Sequence, residues 1–162
     1  MVCQSHLEFM RWADEIYLRA LSELPHGEAN KDQGSSFQSM LGTLGHIYKG
    51  EVIWFKRVKL DPWAKLADIE VPEHIGMLEQ VWAGLHDAWI EWAASVSAGE
   101  GWPEIVLHRN SQGTESKLPR WQIILHLVNH GSYHRGQIAT MLRQSGITPP
   151  GTDLATFYRQ RG

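Results

Sequence analysis

Three histidines recur at four-residue intervals in His126-Leu127-Val128-Asn129-His130-Gly131-Ser132-Tyr133-His134. Residues four apart on a helix lie about 40° apart around its axis, so neighbours in this series share a face. Two imidazoles at that spacing can converge on one metal ion, as they do on zinc-binding helices. With nine histidines in 162 residues, chance supplies about 0.5 such pairs but only about 0.03 such triplets. Leu127, Gly131, Ile138 and Leu142 form the inward line of this helix, with His134 on the line and His130 beside it. Arg135 and Arg143 lie largely off it. Inward imidazoles need partners, because an unsatisfied buried polar group is costly. A metal supplies one answer; hydrogen bonds to backbone or to one another supply the other.

A mononuclear site needs a ligand from elsewhere, and His46 is the best candidate. Gly42 and Gly50 stand one turn before and after it. Glycine weakens a helix by up to ~1 kcal/mol, so the pair suggests that space is needed, for a neighbouring helix or for a ligand above a metal. His46 lies off the Leu44–Tyr48 stripe, which leaves a half-exposed surface histidine as the alternative. Of the others, His26 falls in a turn, His74 and His86 on an otherwise solvated side, and His108 in a presumed hairpin; His6 can reach a pocket but nothing requires it. All five read as structural or surface residues.

Other chemistries are excluded at motif level. There is no His-Glu-x-x-His, no glycine-rich phosphate loop, no Gly-x-Ser-x-Gly elbow and no Cys-x-x-Cys-His. Cys3 is the one cysteine. It rules out an intramolecular disulfide, fits a reducing compartment and lies too near the terminus to serve as a nucleophile. A net charge of −3 gives no basic field for nucleic acid. No stretch approaches the ~18 apolar residues of a membrane span, and the opening residues carry acids where a signal peptide needs an apolar run. A cytoplasmic protein is expected.

Four amphipathic segments position these residues. Phe9, Ala13, Ile16, Tyr17, Ala20, Leu21 and Leu24 mark the first, closed by Pro25-His26-Gly27. The second spans about 37–58, with Ser35 and Gln38 resembling a capping box. Ile75, Leu78, Trp82, Leu85, Trp89, Trp92 and Val96 mark the third, which Gly99 and Gly101 stop. The fourth runs from near Pro119 to Gly146. A short hairpin or irregular segment around Asn110-Ser111-Gln112-Gly113 precedes it, and Thr152 caps a short last helix through Tyr158. With 43% hydrophobic residues, no repeat and no linker, residues 1–162 are expected to form a single all-α domain, a four-helix up-down-type bundle.

The run from Leu125 to Ile138, with its His130-x-x-x-His134-Arg135-Gly136-Gln137 core, resembles the signature of the DinB/YfiT-like family, helical proteins regarded as metalloenzymes. Arg11-Trp12-Ala13-Asp14 resembles the family's first-helix opening, His46 with Glu51 and Trp54 its second-helix motif, and Pro149 through Tyr158 its C-terminal tail. The resemblance implies a four-helix bundle, commonly homodimeric, with one metal held by His46, His130 and His134. It gives His126 a supporting or structural place rather than a ligand's. Asp14 stands where members often carry asparagine. The resemblance favours nickel or zinc over the copper and iron that nitrogen ligands also suit.

Three neutral imidazoles leave an ion with its full charge and open positions, whereas structural zinc is normally closed by four protein ligands. Two chemistries fit: hydrolysis by a metal-bound hydroxide, or thiol S-transfer by the metal-bound thiolate of a low-molecular-weight thiol, for which the family holds a precedent. Glu51 and Asp14 are the carboxylates that can orient water. A non-catalytic metal-binding or dimeric bundle, using the tryptophans of the third helix for core or dimer contact, is the alternative.

Overall fold

The computed structural model describes residues 2–59, 61–98, 101–110 and 112–161. Helix α1 spans Val2–Ser22, α2 Met40–Lys59, α3 Ile75–Ala98, α4 Arg120–Gln144 and α5 Leu154–Arg159; the hairpin strands are β1, Ile105–Arg109, and β2, Glu115–Pro119. The expected all-α bundle with its small hairpin is therefore present. Gly99 and Ser111, assigned above to a helix stop and a turn, lie outside the described residues.

Local chemistry sets the ends. The Oγ of Ser39 accepts the Gly42 N–H at 3.0 Å, so Ser39 is the N-cap of α2. This corrects the Ser35–Gln38 capping box: Gln38 has φ +65° and forms a turn with Ser35. Phe37 is thereby left outside the helix. At the other end of the chain, α4 stops where Gly146 takes φ +76°. The Ile147 N–H then reaches the Leu142 carbonyl at 2.9 Å and the Gly146 N–H that of Arg143 at 3.0 Å, a Schellman closure. Thr152 does not cap α5; Asp153 precedes that helix, and its side chain makes no capping hydrogen bond. In the antiparallel hairpin Val106 pairs with Leu118 and His108 with Ser116, and Val106 and His108 face inward.

Two large apolar clusters, beside a smaller one of Phe9, Ala13 and Phe157, show how the chain runs through the bundle. One joins Leu7 and Met10 of α1, Ile53 and Trp54 of α2, Trp89 and Trp92 of α3, and Ile124 and Leu127 of α4. The other joins Tyr17 and Leu21, Met40 and Leu44, Leu78 and Trp82, and Ile138 and Leu142. Helices α1 and α4 pass from the first cluster to the second, whereas α2 and α3 pass from the second to the first. The order is up-down-down-up. The long connection between α2 and α3 follows from it, because parallel neighbours cannot be joined by a tight turn. Within that connection Val71 presses on α2 at Gly45, where a Cβ would lie 2.7 Å from its Cγ1. Trp82 and Trp89 are fully buried, so the third-helix tryptophans serve the core and not a dimer contact. Truncating either to Ala costs roughly 3–5 kcal/mol. Between the two clusters lies a waist, where the candidate histidines sit.

Candidate metal centre

Antiparallel α2 and α4 bring His46, His130 and His134 together at the waist. One ring nitrogen from each lies within 4.8 Å of the other two. The Nε2 atoms of His46 and His130 stand 3.0 Å apart, and the three ring centroids are 4.5 to 4.9 Å apart. Ligands at ~2.0–2.1 Å from one ion stand about 2.9 Å apart at right angles and about 3.4 Å apart at tetrahedral angles, so the set fits a common centre. The Nδ1 of His134 donates to Gln137 Oε1 at 2.7 Å, which fixes the ring and leaves Nε2 as the nitrogen that could take a ligand's place. His46 is held from outside by Phe37, stacked on it at 3.9 Å and 16°; the corrected start of α2 makes that contact possible. His130 is accommodated by Gly50, where a Cβ would stand 3.0 Å from the ring's Cε1. The glycines around His46 therefore make room for neighbouring protein atoms, Phe37 O above Gly42 and the His130 ring beside Gly50.

The electrostatics favour neutral imidazoles. Burial, joined by the neighbouring His134, pushes His46 down to about 4; burial with His134 and His46 pushes His130 down to about 3. Both offer lone pairs at neutral pH without a proton to displace. His126 lies one turn before His130 and is exposed, its ring edge-on to Trp54 at 5.7 Å. It stands outside the cluster. Beside His46 opens a cleft of about 550 Å³, lined by Phe37, Lys49, Leu66 and Val71 among others, a size suited to a small molecule.

A second constellation takes Asp14 and Glu51, named above as carboxylates that could orient water at the histidine site, into a separate cluster with His86. Asp14, Glu51 and His86 meet in the interior, each at most 1% exposed. His86 is therefore fully buried, not on a solvated side, because Trp82 and Trp89 turn that face of α3 into the core. Arg135, expected largely off the inward line of α4, is likewise 1% exposed and points inward, donating to Asp14 Oδ1 at 2.6 Å. Its guanidinium fills the space left by Gly131, where a Cβ would meet Nη1 at 2.7 Å. Trp82 Nε1 donates to Glu51 Oε2 at 2.7 Å. Burial and then Asp14 raise Glu51 to about 7. Burial alone would raise Asp14, yet the Arg135 guanidinium holds it below the usual range. Burial opposes a charge on His86, but the two carboxylates overcome it and raise the imidazole to about 9.

A signal for these four was present. Each continues the apolar line of its helix: Met10-Asp14-Tyr17, Ile47-Glu51-Trp54, Trp82-His86-Trp89 and Gly131-Arg135-Ile138 share one four-then-three spacing. Of the remaining histidines, His108 is buried edge-on against Trp54 at 4.7 Å. His6 holds the Val2 carbonyl at 2.7 Å, and His26 and His74 are exposed.

An up-down-down-up bundle with a three-histidine cluster between α2 and α4 defines the class of this protein. The profile of the DinB family matches residues 3–161, and the chain belongs to that family. Protein DinB of Bacillus subtilis (strain 168) is 26% identical over 157 residues, covering 93% of this chain and 90% of the relative. The B. subtilis protein YrdA is 30% identical over 50 residues, 31% of this chain and 30% of its own length. Among solved structures, a DinB-like protein from Bacillus cereus ATCC 10987 superposes with a TM-score of 0.62 at 20% identity, covering 90% of this chain and 94% of that one. That likeness is one of fold.

Proposed function

We propose that this protein is a metal-dependent enzyme acting on a small molecule, with one divalent ion, nickel or zinc, held by His46, His130 and His134. The observation that carries the reading is the convergence of three imidazoles from two helices, with no carboxylate or thiol in the same cluster among the described residues. Such an ion supplies Lewis acidity and lowers the pKa of a bound water or thiol, the chemistry of hydrolysis or of thiol S-transfer. Gln137 orients His134, Phe37 fixes the plane of His46, and Gly50 admits His130. The cleft beside His46 offers the substrate apolar walls from Phe37, Leu66 and Val71 and one ammonium from Lys49. Residues 1–162 act as one domain in this reading. Homodimerisation, which family resemblance implies, has apolar surface available in exposed Trp121, Leu125 and Tyr133 along α4.

The test is metal content per chain by mass spectrometry on untagged protein purified without chelator, beside His46→Ala and the His130→Ala/His134→Ala double variant. About one equivalent of nickel or zinc that the wild type holds and both variants lack supports the assignment and justifies thiol-transfer and ester-hydrolysis screens on loaded and stripped protein. A wild type that takes up neither ion at this cluster refutes it.

A further inference from the structure

Asp14 from α1, Glu51 from α2 and His86 from α3 present unpartnered atoms to one point in the core. Asp14 Oδ2, Glu51 Oε1 and both ring nitrogens of His86 are buried without a hydrogen-bond partner. Leaving one such group unsatisfied is costly, and orphaned atoms on three side chains whose donor atoms come within 4.8 Å of one another ask for a common partner. We propose that Asp14, Glu51 and His86 form a second site for a divalent cation, separate from the three-histidine cluster.

The geometry separates a metal from a proton as that partner. His86 Nε2 stands 3.4 Å from Asp14 Oδ2 and 3.4 Å from Glu51 Oε2. Both distances exceed the ~2.7–3.2 Å of an N–H···O bond. A single N–H shared between both carboxylates would give only a weak three-centre contact to each at these distances. Donors around a tetrahedral ion with bonds of ~2.0–2.1 Å stand about 3.3–3.4 Å apart, the separation found here twice. The outer contacts are those of a ligand shell: Arg135 holds the far oxygen of Asp14, and Trp82 Nε1 fixes Glu51. A cation bound here takes the place of the proton that the two carboxylates otherwise hold on His86; with that proton gone, Asp14, Glu51 and Arg135 leave one net negative charge, which the cation offsets. An entry path exists, since a cleft of about 280 Å³ between α1 and α3 reaches His86, with Glu15, Arg19 and Glu79 in its lining. Two carboxylates and one imidazole form a harder donor set than three imidazoles, suited to manganese as well as zinc.

The site is tested apart from the histidine cluster. A His46→Ala/His130→Ala/His134→Ala variant, its fold checked by circular dichroism, is titrated with Mn2+ and Zn2+, and bound ion is measured after gel filtration. About one ion per chain is expected, with affinity reduced at least tenfold by adding Glu51→Gln. Wild-type crystals soaked in Mn2+ provide a readout that does not depend on the variant folding: an anomalous peak among Asp14, Glu51 and His86 supports the site. A folded triple variant that binds neither ion at millimolar concentration overturns it. So does binding that Glu51→Gln leaves unchanged, or a soaked crystal with no peak there. None of these results bears on whether His46, His130 and His134 hold their own ion.

Discussion

Replacing Gly50 by Ala separates the stability of this fold from the geometry of its histidine cluster. Gly50 lies within α2, where alanine gains about 0.8–1.0 kcal/mol of helix propensity over glycine. The new Cβ would sit 3.0 Å from His130 Cε1 and 3.4 Å from its Nδ1. Carbon contacts are comfortable from about 3.5 Å, so the ring must retreat by about 0.5 Å. Donor positions in a metal site tolerate about 0.2 Å. The expected outcome for Gly50→Ala is therefore a metal-free melting temperature equal to or slightly above wild type, with nickel or zinc affinity lower by about 10–100-fold, the range seen when the support of a ligand is disturbed. Gly84→Ala is the control, because a Cβ there meets nothing within 4 Å; it gains the propensity and leaves affinity alone. Chemical denaturation and competitive chelator titration read the two quantities. Wild-type affinity in a folded Gly50→Ala protein refutes the argument that His130 is a ligand held in place by the missing side chain.

Gln137→Ala frees the His134 ring and should weaken metal binding by about 10–100-fold with little change in metal-free stability; isothermal titration beside thermal melts checks both. Asp14→Ala strands the Arg135 guanidinium in the core and should cost about 3–5 kcal/mol in urea denaturation, while Asp14→Leu/Arg135→Met, which removes both charges, should cost less than the single change. Equal losses would show that the pair itself carries little. In chelator, stability should fall as pH rises from 7 to 9, because His86, raised to about 9 in the fold against ~6.5 unfolded, keeps a proton the unfolded chain has lost. The stabilisation is full below about 6.5 and gone once pH passes about 9. His86→Asn should flatten that slope in denaturation curves taken across the window.

The helices and the histidine spacing on α4 were legible because they are properties of one segment. A three-and-four apolar rhythm needs no knowledge of the neighbour, and His130 and His134 follow from the same arithmetic. His46 was harder, for its facing surface is α4, which lies 84 residues further on. Of the buried waist, Asp14 and Glu51 were singled out but assigned to the histidine site, while His86 and Arg135 were not read. Asp14, Glu51, His86 and Arg135 each sit on an apolar line, yet a polar side chain taken alone is more economically placed in water. Only the meeting of four helices makes the interior tolerable for them, and that meeting is tertiary. Phe37 was misplaced for a smaller reason: Ser35 and Ser39 both offer a capping hydroxyl, and the positive φ of Gln38 decided between them.

The antiparallel meeting of α2 and α4 has a consequence for the chain as a polymer. His46 and His130 are 84 residues apart, so any link between them ties a loop that spans half the molecule and encloses all of α3. In a chain-entropy picture a tie of that length withdraws about 4–5 kcal/mol of freedom from the unfolded ensemble. It also arrives last, since a ribosome must release α4 before the loop can close. An ion gripped by these imidazoles would thus act as a removable staple on the folded chain, fastened at the end of synthesis and undone by a chelator.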